Sequence, residues 1–248
     1  MRLALAYHSI SPTWSHDLAV SPRRFRAQMH LLRSRGFAGV RLSDLGAPGP
    51  RHRVSVTFDD GFRTVVEYAK PVLDELEWPA TVFLVTDAAD TAAPITWIAP
   101  AADESDRRSV SWDDARRLAE AGWEVGSHSC THRLLSSLAD EELAAELRRS
   151  REAVASHVGT CTAISYPWGE VDSRVVAAAR SAGYTAGSGL AGRFTSDDPL
   201  RIPRFAIGRS DRVLRFALKT SRPVGAFRAS PGWIVVDRVR RHGRPLGV

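Results

Sequence analysis

Two adjacent carboxylates, in Thr57-Phe58-Asp59-Asp60-Gly61, stand at the end of the apolar run 54–58. Like charges this close resist ionising together unless a cation or a proton relieves them. Further along, Glu124-Val125-Gly126-Ser127-His128-Ser129-Cys130-Thr131-His132 sets two histidines four apart. One helical turn or a tight loop puts both imidazoles on one side, able to grip one ion. One carboxylate and two imidazoles form an N,N,O set that suits Zn²⁺ or a similar divalent ion and leaves positions open for water and substrate. The second carboxylate is then free to act as a base. Alone, a histidine pair at this spacing is weak evidence, because spacing does not set geometry; joined to Asp-Asp-Gly after a strand it is strong.

Something must hold these groups together. Short apolar runs alternate with amphipathic helical patterns, the signature of repeated βα units around a parallel sheet. Strands are expected at 3–7, 54–58, 80–85, 123–127, 163–166 and 184–186. Ser21-Pro22 opens a helix to about residue 35 that Gly36 stops. Ser111 to Asp114 has the capping-box spacing and starts a helix ending near Gly122. Asp140-Glu141-Glu142 places acidic charge in the first turn of a long helix reaching His157. Residues 87–110, with Pro94 and Pro100, break the rhythm and read as a long loop beside the site. His8, the Asp59-Asp60 pair, His128 and Pro167-Trp168-Gly169 each follow an expected strand. In a parallel barrel those strand ends share the face where active sites form.

The length of 248 residues fits one large α/β domain, and 44% apolar with 25% charged residues is ordinary for a globular protein with a sizeable core. Met1 to Tyr7 is too poor in apolar residues for a signal core, and no run approaches the ~18 apolar residues of a membrane span. The expected compartment is therefore the cytoplasm. Two cysteines, Cys130 and Cys161, agree with a reducing location, although their spacing leaves a disulfide open. Cys130 reads as a small filler residue rather than a thiol near the metal. The net charge of +6 is uneven: residues 201–248 hold 12 Lys/Arg against 2 Asp/Glu, and the rest of the chain holds 22 against 26. Such a basic end could meet an anionic membrane surface, making the protein peripheral to it, or a polyphosphate-linked substrate; the bland reading is a solvated face with a loose tail. Aromatics are too sparse there for nucleic-acid binding to be expected.

Thr57-Phe58-Asp59-Asp60-Gly61, Ser127-His128-Ser129-Cys130-Thr131-His132 and Ser165-Tyr166-Pro167-Trp168-Gly169 resemble, in order and spacing, the first three motifs of the polysaccharide deacetylase (NodB homology, carbohydrate esterase 4) family. The resemblance runs over residues 3–186. It implies a single-domain, distorted (β/α)7 barrel, taken here as residues 1–220 with a basic extension over 221–248. It also implies that Asp59 is the general base, that Asp60, His128 and His132 bind the metal, and that a backbone N–H at Trp168 holds the oxyanion. Most relatives keep their acid in a late Leu-x-x-His motif, which is missing here. The chain resembles instead a circularly permuted branch whose members begin with a strand ending in Tyr-His, and on that resemblance His8 is the acid; a core histidine held by a backbone carbonyl is the alternative. Where many relatives carry a base-orienting arginine this chain has Ser165, so that either Arg204 substitutes or the base is tuned otherwise. The substrate-facing set is Tyr166, Pro167, Trp97 and Arg204, with Trp97 equally readable as a packing anchor.

The implied activity is removal of an N-acetyl or other N-acyl group from an amino sugar of a glycan or glycoconjugate precursor. Metal-bound water attacks with Asp59 as base and His8 as acid. The ion expected is Zn²⁺, with Co²⁺, Ni²⁺ or Mn²⁺ as alternatives. Competing readings are a deacylase of a non-sugar amide, a non-catalytic carbohydrate-binding relative, and an Fe(II) oxygenase using Asp60, His128 and His132. The last lacks that class's usual His/carboxylate spacing of two. His16, His30, His52, His157 and His242 are read as solvated, and Trp112 and Trp123 as core packing.

Overall fold

Parallel strands whose two faces are both covered tend to near-continuous apolar sequence, and the stretches 3–7 and 82–85 have it. The computed structural model describes residues 1–98, 104–190, 198–221, 223 and 224. Its strands are β1 (Arg2–Tyr7), β2 (Ser9–Ile10), β3 (Ala19–Val20), β4 (Ala38–Gly39), β5 (Arg53–Phe58), β6 (Thr81–Leu84), β7 (Glu124–Ser127), β8 (Ala163–Ser165), β9 (Ala186–Leu190) and β10 (Ile202–Ala206). Seven of them close a parallel ring in the order β1-β10-β9-β8-β7-β6-β5, with β5 pairing back onto β1. The ring is the (β/α)7 barrel implied by the resemblance. β4 lies outside it, sharing an edge of β5 with β6: β4 pairs at Arg53 and Val54, β6 at Thr57 and Phe58. Leu3, Leu5, Val54, Val56, Val82 and Ile164 are buried in one continuous core.

Around the ring run α1 (Pro22–Ser34), α2 (Lys70–Glu75), α3 (Thr86–Thr91), α4 (Trp112–Glu120), α5 (Asp140–Val158), α6 (Ser173–Ser181) and α7 (Val213–Lys219). Pro22 starts α1 at its first position, where a missing N–H costs nothing. Ser111 caps α4 by accepting from the Asp114 N–H, and Gly159 ends α5 in the left-handed region at φ 88°. No helix among the described residues is long and apolar enough to cross a membrane.

Two expectations need correction. The strand expected at 184–186 lies at Ala186–Leu190. Its Gly-Ser-Gly centre has weak strand propensity, yet glycine is required: a Cβ at Gly187 would come within 2.6 Å of the Tyr166 hydroxyl and 2.8 Å of the Leu200 carbonyl. The stretch 87–110 is not one loop. It begins in α3 and returns through bridges of Pro94 to Arg108 and Phe62 to Ser109. Its buried Asp106 accepts from Ser11 Oγ at 2.5 Å and Thr13 Oγ1 at 2.7 Å, which ties the segment to the strand end carrying His8. Most of the basic extension expected over 221–248 lies outside the described residues.

Candidate active site

The four strand ends named from the sequence do share one mouth of the ring. His8 follows β1, Asp59 and Asp60 follow β5, His128 follows β7, and Trp168 lies in the turn after β8. They surround a cleft of about 240 Å³ whose chemical side is His8, Asp59, Asp60, His128 and His132. The rest of its lining is apolar, with Leu18, Trp97, Ile98, Trp168 and Leu190 among it.

The turns that deliver these groups are strained. Asp60, Ser129, His132 and Trp168 have φ of 66°, 67°, 61° and 63°, a region most non-glycine residues avoid at a cost of about 1–3 kcal/mol each. After Asp60 the two neighbouring carboxylates take different partners, Asp60 the two imidazoles and Asp59 the Arg204 guanidinium. Gly61, at φ 70°, continues the turn where a Cβ would meet the Leu84 side chain at 2.8 Å.

Asp60, His128 and His132 are buried and offer ligand atoms that all lie within 4.8 Å of one another. Asp60 Oδ1 is 3.5 Å from His128 Nε2 and 3.1 Å from His132 Nε2. Zinc–ligand bonds of about 2.0–2.1 Å at tetrahedral angles set ligand atoms about 3.3 Å apart, so the spacing fits a divalent ion. The histidine chemistry fits as well. His128 Nδ1–H donates to the Ser165 carbonyl at 2.8 Å, which leaves Nε2 as the lone-pair nitrogen facing Asp60. Burial above all lowers the His128 pKa, to about 4, against the pull of Asp59, so the ring is neutral and competent as a ligand at pH 7. Burial pushes the Asp60 carboxyl up, but the His132 hydrogen bond and the charges of His8, His132 and His128 bring it below its ordinary value.

Asp59 is held differently. Arg204, fully buried on β10, donates from Nη1 to Asp59 Oδ1 at 2.7 Å and from Nη2 to Oδ2 at 2.8 Å. The same guanidinium donates to Thr57 Oγ1 and to Ser165 Oγ, each at 2.7 Å. Burial pushes the Asp59 carboxyl up; the Arg204 charge, then that of His128, then the Arg204 hydrogen bond outweigh it and hold the group far below the usual carboxylate range. A carboxylate has about four lone-pair sites, so the fork leaves each oxygen one more to offer.

Three residues expected to face substrate do not. Arg204 is 0% exposed and spends its donors inside the barrel. Tyr166 is equally buried, its hydroxyl donating to the Leu200 carbonyl at 2.9 Å. Pro167 is buried beneath the turn. Trp97 does line the cleft, and it also packs: its ring stacks on His132 at 4.7 Å and 14°, and its Nε1–H donates to Asp60 Oδ1 at 3.4 Å. Trp168 is half exposed and donates from Nε1 to the His132 carbonyl at 3.2 Å.

The bland readings divide in the same way. Both cysteines are buried free thiols, with Cys130 Sγ donating to the Glu146 carbonyl as a filler would. His157 is not merely solvated, since it stacks on Trp112 at 4.1 Å. His16 stacks on Trp14 at 4.8 Å. Sequence reasoning passed over Leu18, Ile98 and Leu190 as walls, and apolar residues beyond strand ends carry no signal of such a role. Thr57 as an anchor for Arg204 was legible only as part of the Asp-Asp motif.

The family model for polysaccharide deacetylase matches residues 46–187, more than half of the chain. The chain belongs to the polysaccharide deacetylase family. YxkH of Bacillus subtilis (strain 168), classed by name with the polysaccharide deacetylases, is 27% identical over 192 residues, covering 74% of this chain and 62% of YxkH. The chain thus spans about three fifths of that relative's length. A polysaccharide deacetylase from Bacillus cereus superposes with a TM-score of 0.73 at 26% identity, over 88% of this chain and 68% of its own. The Streptococcus pyogenes deacetylase PplD, solved with acetate, has the same fold: TM-score 0.75 at 18% identity, over 88% of this chain and 97% of its own. The stretch matched by the deacetylase family model contains Asp59, Asp60, His128, His132 and Trp168; His8 and Arg204 lie on either side of it.

Proposed function

We propose that this deacetylase-family chain is a metal-dependent hydrolase that removes the N-acetyl group of an amino sugar in a glycan or glycoconjugate. One observation carries the reading: three convergent ligand groups stand beside a second carboxylate that takes no part in their cluster and is fixed by an arginine fork. A site meant only to hold an ion has no use for that second carboxylate. Asp60, His128 and His132 are the ligands, and Zn²⁺ best fits their donor set, with Co²⁺, Ni²⁺ and Mn²⁺ as substitutes. The ion, when bound, supplies Lewis acidity that polarises the acyl carbonyl and makes a water more acidic.

The chain's own groups do the rest. Asp59 takes the proton of the attacking water on the lone pairs that Arg204 leaves open. Its low pKa makes it a weak base, which suffices for a water already made acidic. The backbone N–H of Trp168, in a turn fixed by its left-handed conformation, holds the negative charge that forms on the carbonyl oxygen. An amine departs only when protonated, and His8, on the cleft wall opposite the turn's strand, is the donor. Its Nδ1 is buried without a hydrogen-bond partner among the described residues, so no backbone carbonyl occupies that nitrogen. The apolar wall, with Trp97 and Trp168, suits the face of a sugar ring.

The test is acetate release by the Zn²⁺-loaded protein from N-acetylglucosamine in nucleotide-linked, lipid-linked and chitin-oligomer forms, alongside simple N-acetyl amides. Sugar substrates should be preferred, and Asp59→Asn should abolish turnover while retaining metal. Near-normal activity in that variant, or release from the simple amides alone, overturns the assignment.

A further inference from the structure

The loop carrying both histidines is anchored from a helix that never touches the cleft. Glu146, on α5 and 6% exposed, accepts at Oε1 from the Thr131 N–H at 2.7 Å and from Thr131 Oγ1–H at 2.8 Å. One helical turn on, Ser150 Oγ meets Ser127 Oγ at 2.9 Å. Ser127 Oγ accepts from the Ser129 N–H at 3.0 Å, and Ser129 Oγ from the His132 N–H at 3.1 Å. Every second residue from 127 to 131 is therefore tied, directly or through one step, to α5. Between these ties the backbone enters the left-handed region twice, at Ser129 and His132, conformations that persist only where surroundings over-determine them.

We propose that Glu146 is a positioning residue for the ion site: by clamping Thr131 it fixes the strained backbone at His132 and so the place of that imidazole relative to Asp60. The inference rests on the metal-site reading above. The Glu146 side chain reaches the site through Thr131, the neighbour of His132, while its backbone carbonyl accepts from Cys130 Sγ and would do so in any variant; a buried carboxylate is costly to keep unless its bonds are made. Both bonds are charge-assisted and short, the strong kind. The charge of Glu146 is felt by Asp87, which does not line the cleft.

Outer partners of metal ligands typically contribute 10–100-fold in affinity. In the full chain, Glu146→Leu, which fills the space but accepts nothing, should weaken Zn²⁺ binding by about 10–100-fold in competition with a chromophoric chelator. The visible spectrum of the Co²⁺-loaded variant should shift, and amide exchange should quicken at 129–132 but not in the barrel strands. Glu146→Gln keeps the acceptor oxygen and should restore affinity to within about three-fold. Thr131→Val, which removes only the hydroxyl bond, should fall between and keeps the test open if Glu146→Leu does not fold. Wild-type affinity and spectrum in Glu146→Leu or Thr131→Val, or a Glu146→Gln as impaired as Glu146→Leu, overturns the proposal. A wild-type chain that binds no Zn²⁺ overturns the ion site itself, a different failure.

Discussion

Replacing Arg204 by Met removes the fork while roughly preserving the volume of its stem. Five hydrogen bonds vanish, two of them to Asp59, and Thr57 Oγ1, Ser165 Oγ and the Gly189 carbonyl each lose a donor. Asp59 then stands in the barrel with no countercharge on its own side; breaking one half of a buried ion pair costs about 3–5 kcal/mol. For a domain of this size each kcal/mol lowers Tm by about 2–4 °C, so thermal unfolding of the chelator-treated protein should begin about 6–20 °C lower. The effect should also depend on pH. In the wild type the depressed Asp59 pKa contributes stability that is fully present above its unfolded value, near 4, and lost only as pH falls toward the folded one. In the variant burial dominates and raises that pKa, so acid protonates Asp59 and relieves the buried charge; the gap between the two proteins should narrow as pH drops from 7 toward 4. Scanning calorimetry at several pH values reads both effects. A double-mutant cycle with Asp59→Asn isolates the pair, since Arg204→Met should cost far less once Asp59 is neutral. A Tm loss under about 2 °C at pH 7, or a coupling energy near zero, refutes the reasoning.

Three further outcomes follow from other parts of the site. His8→Ala should slow hydrolysis of N-acetyl amines by about 10²–10⁴-fold while sparing aryl acetates, whose leaving group needs no proton; equal loss on both substrates, measured as kcat, removes its role as acid. Trp97→Phe keeps a ring against His132 but loses the N–H to Asp60, and Zn²⁺ affinity by chelator competition should fall about ten-fold. Burial pushes the thiols up, Cys130 to about 11 and Cys161 to about 12, so neither should react with iodoacetamide at pH 8 until the chain unfolds, as mass spectrometry of the intact protein will show.

How much of this was legible depends on whether the information is local. The Asp59-Asp60 pair and the His128/His132 pair are contiguous motifs, and each directly follows a short strand bearing at least one buried valine, Val54 and Val56 on β5 and Val125 on β7. Long-range pairing left fainter marks. β10 contains Pro203 and the buried Arg204, both poor strand signals, and is a strand because the ring needs a seventh member between β9 and β1. Arg204 was legible as a stand-in for the missing arginine but not as a residue wholly withdrawn from substrate, because which way a strand residue faces follows from register. Tyr166 and Pro167 were misplaced for the same reason: a motif gives order along the chain, and the turn's left-handed Trp168 decides which neighbour faces the cleft. Glu146 carried no signal at all, being one acid among several on an amphipathic helix.

The ring closes where its first strand meets its last, with β1 joined to β10 by two residue pairs, Leu5 to Phe205 and Ala6 to Ala206. His8 leaves one side of that seam and Arg204 sits on the other, whereas the three ligand groups follow β5 and β7, neither of which forms it. Parting the seam would strip the site of its proton donor and of the base's anchor in one event, yet leave the ion's cage standing. Catalysis is therefore a stricter gauge of an intact barrel than metal content: under mild denaturation, turnover should be lost while the ion is still held.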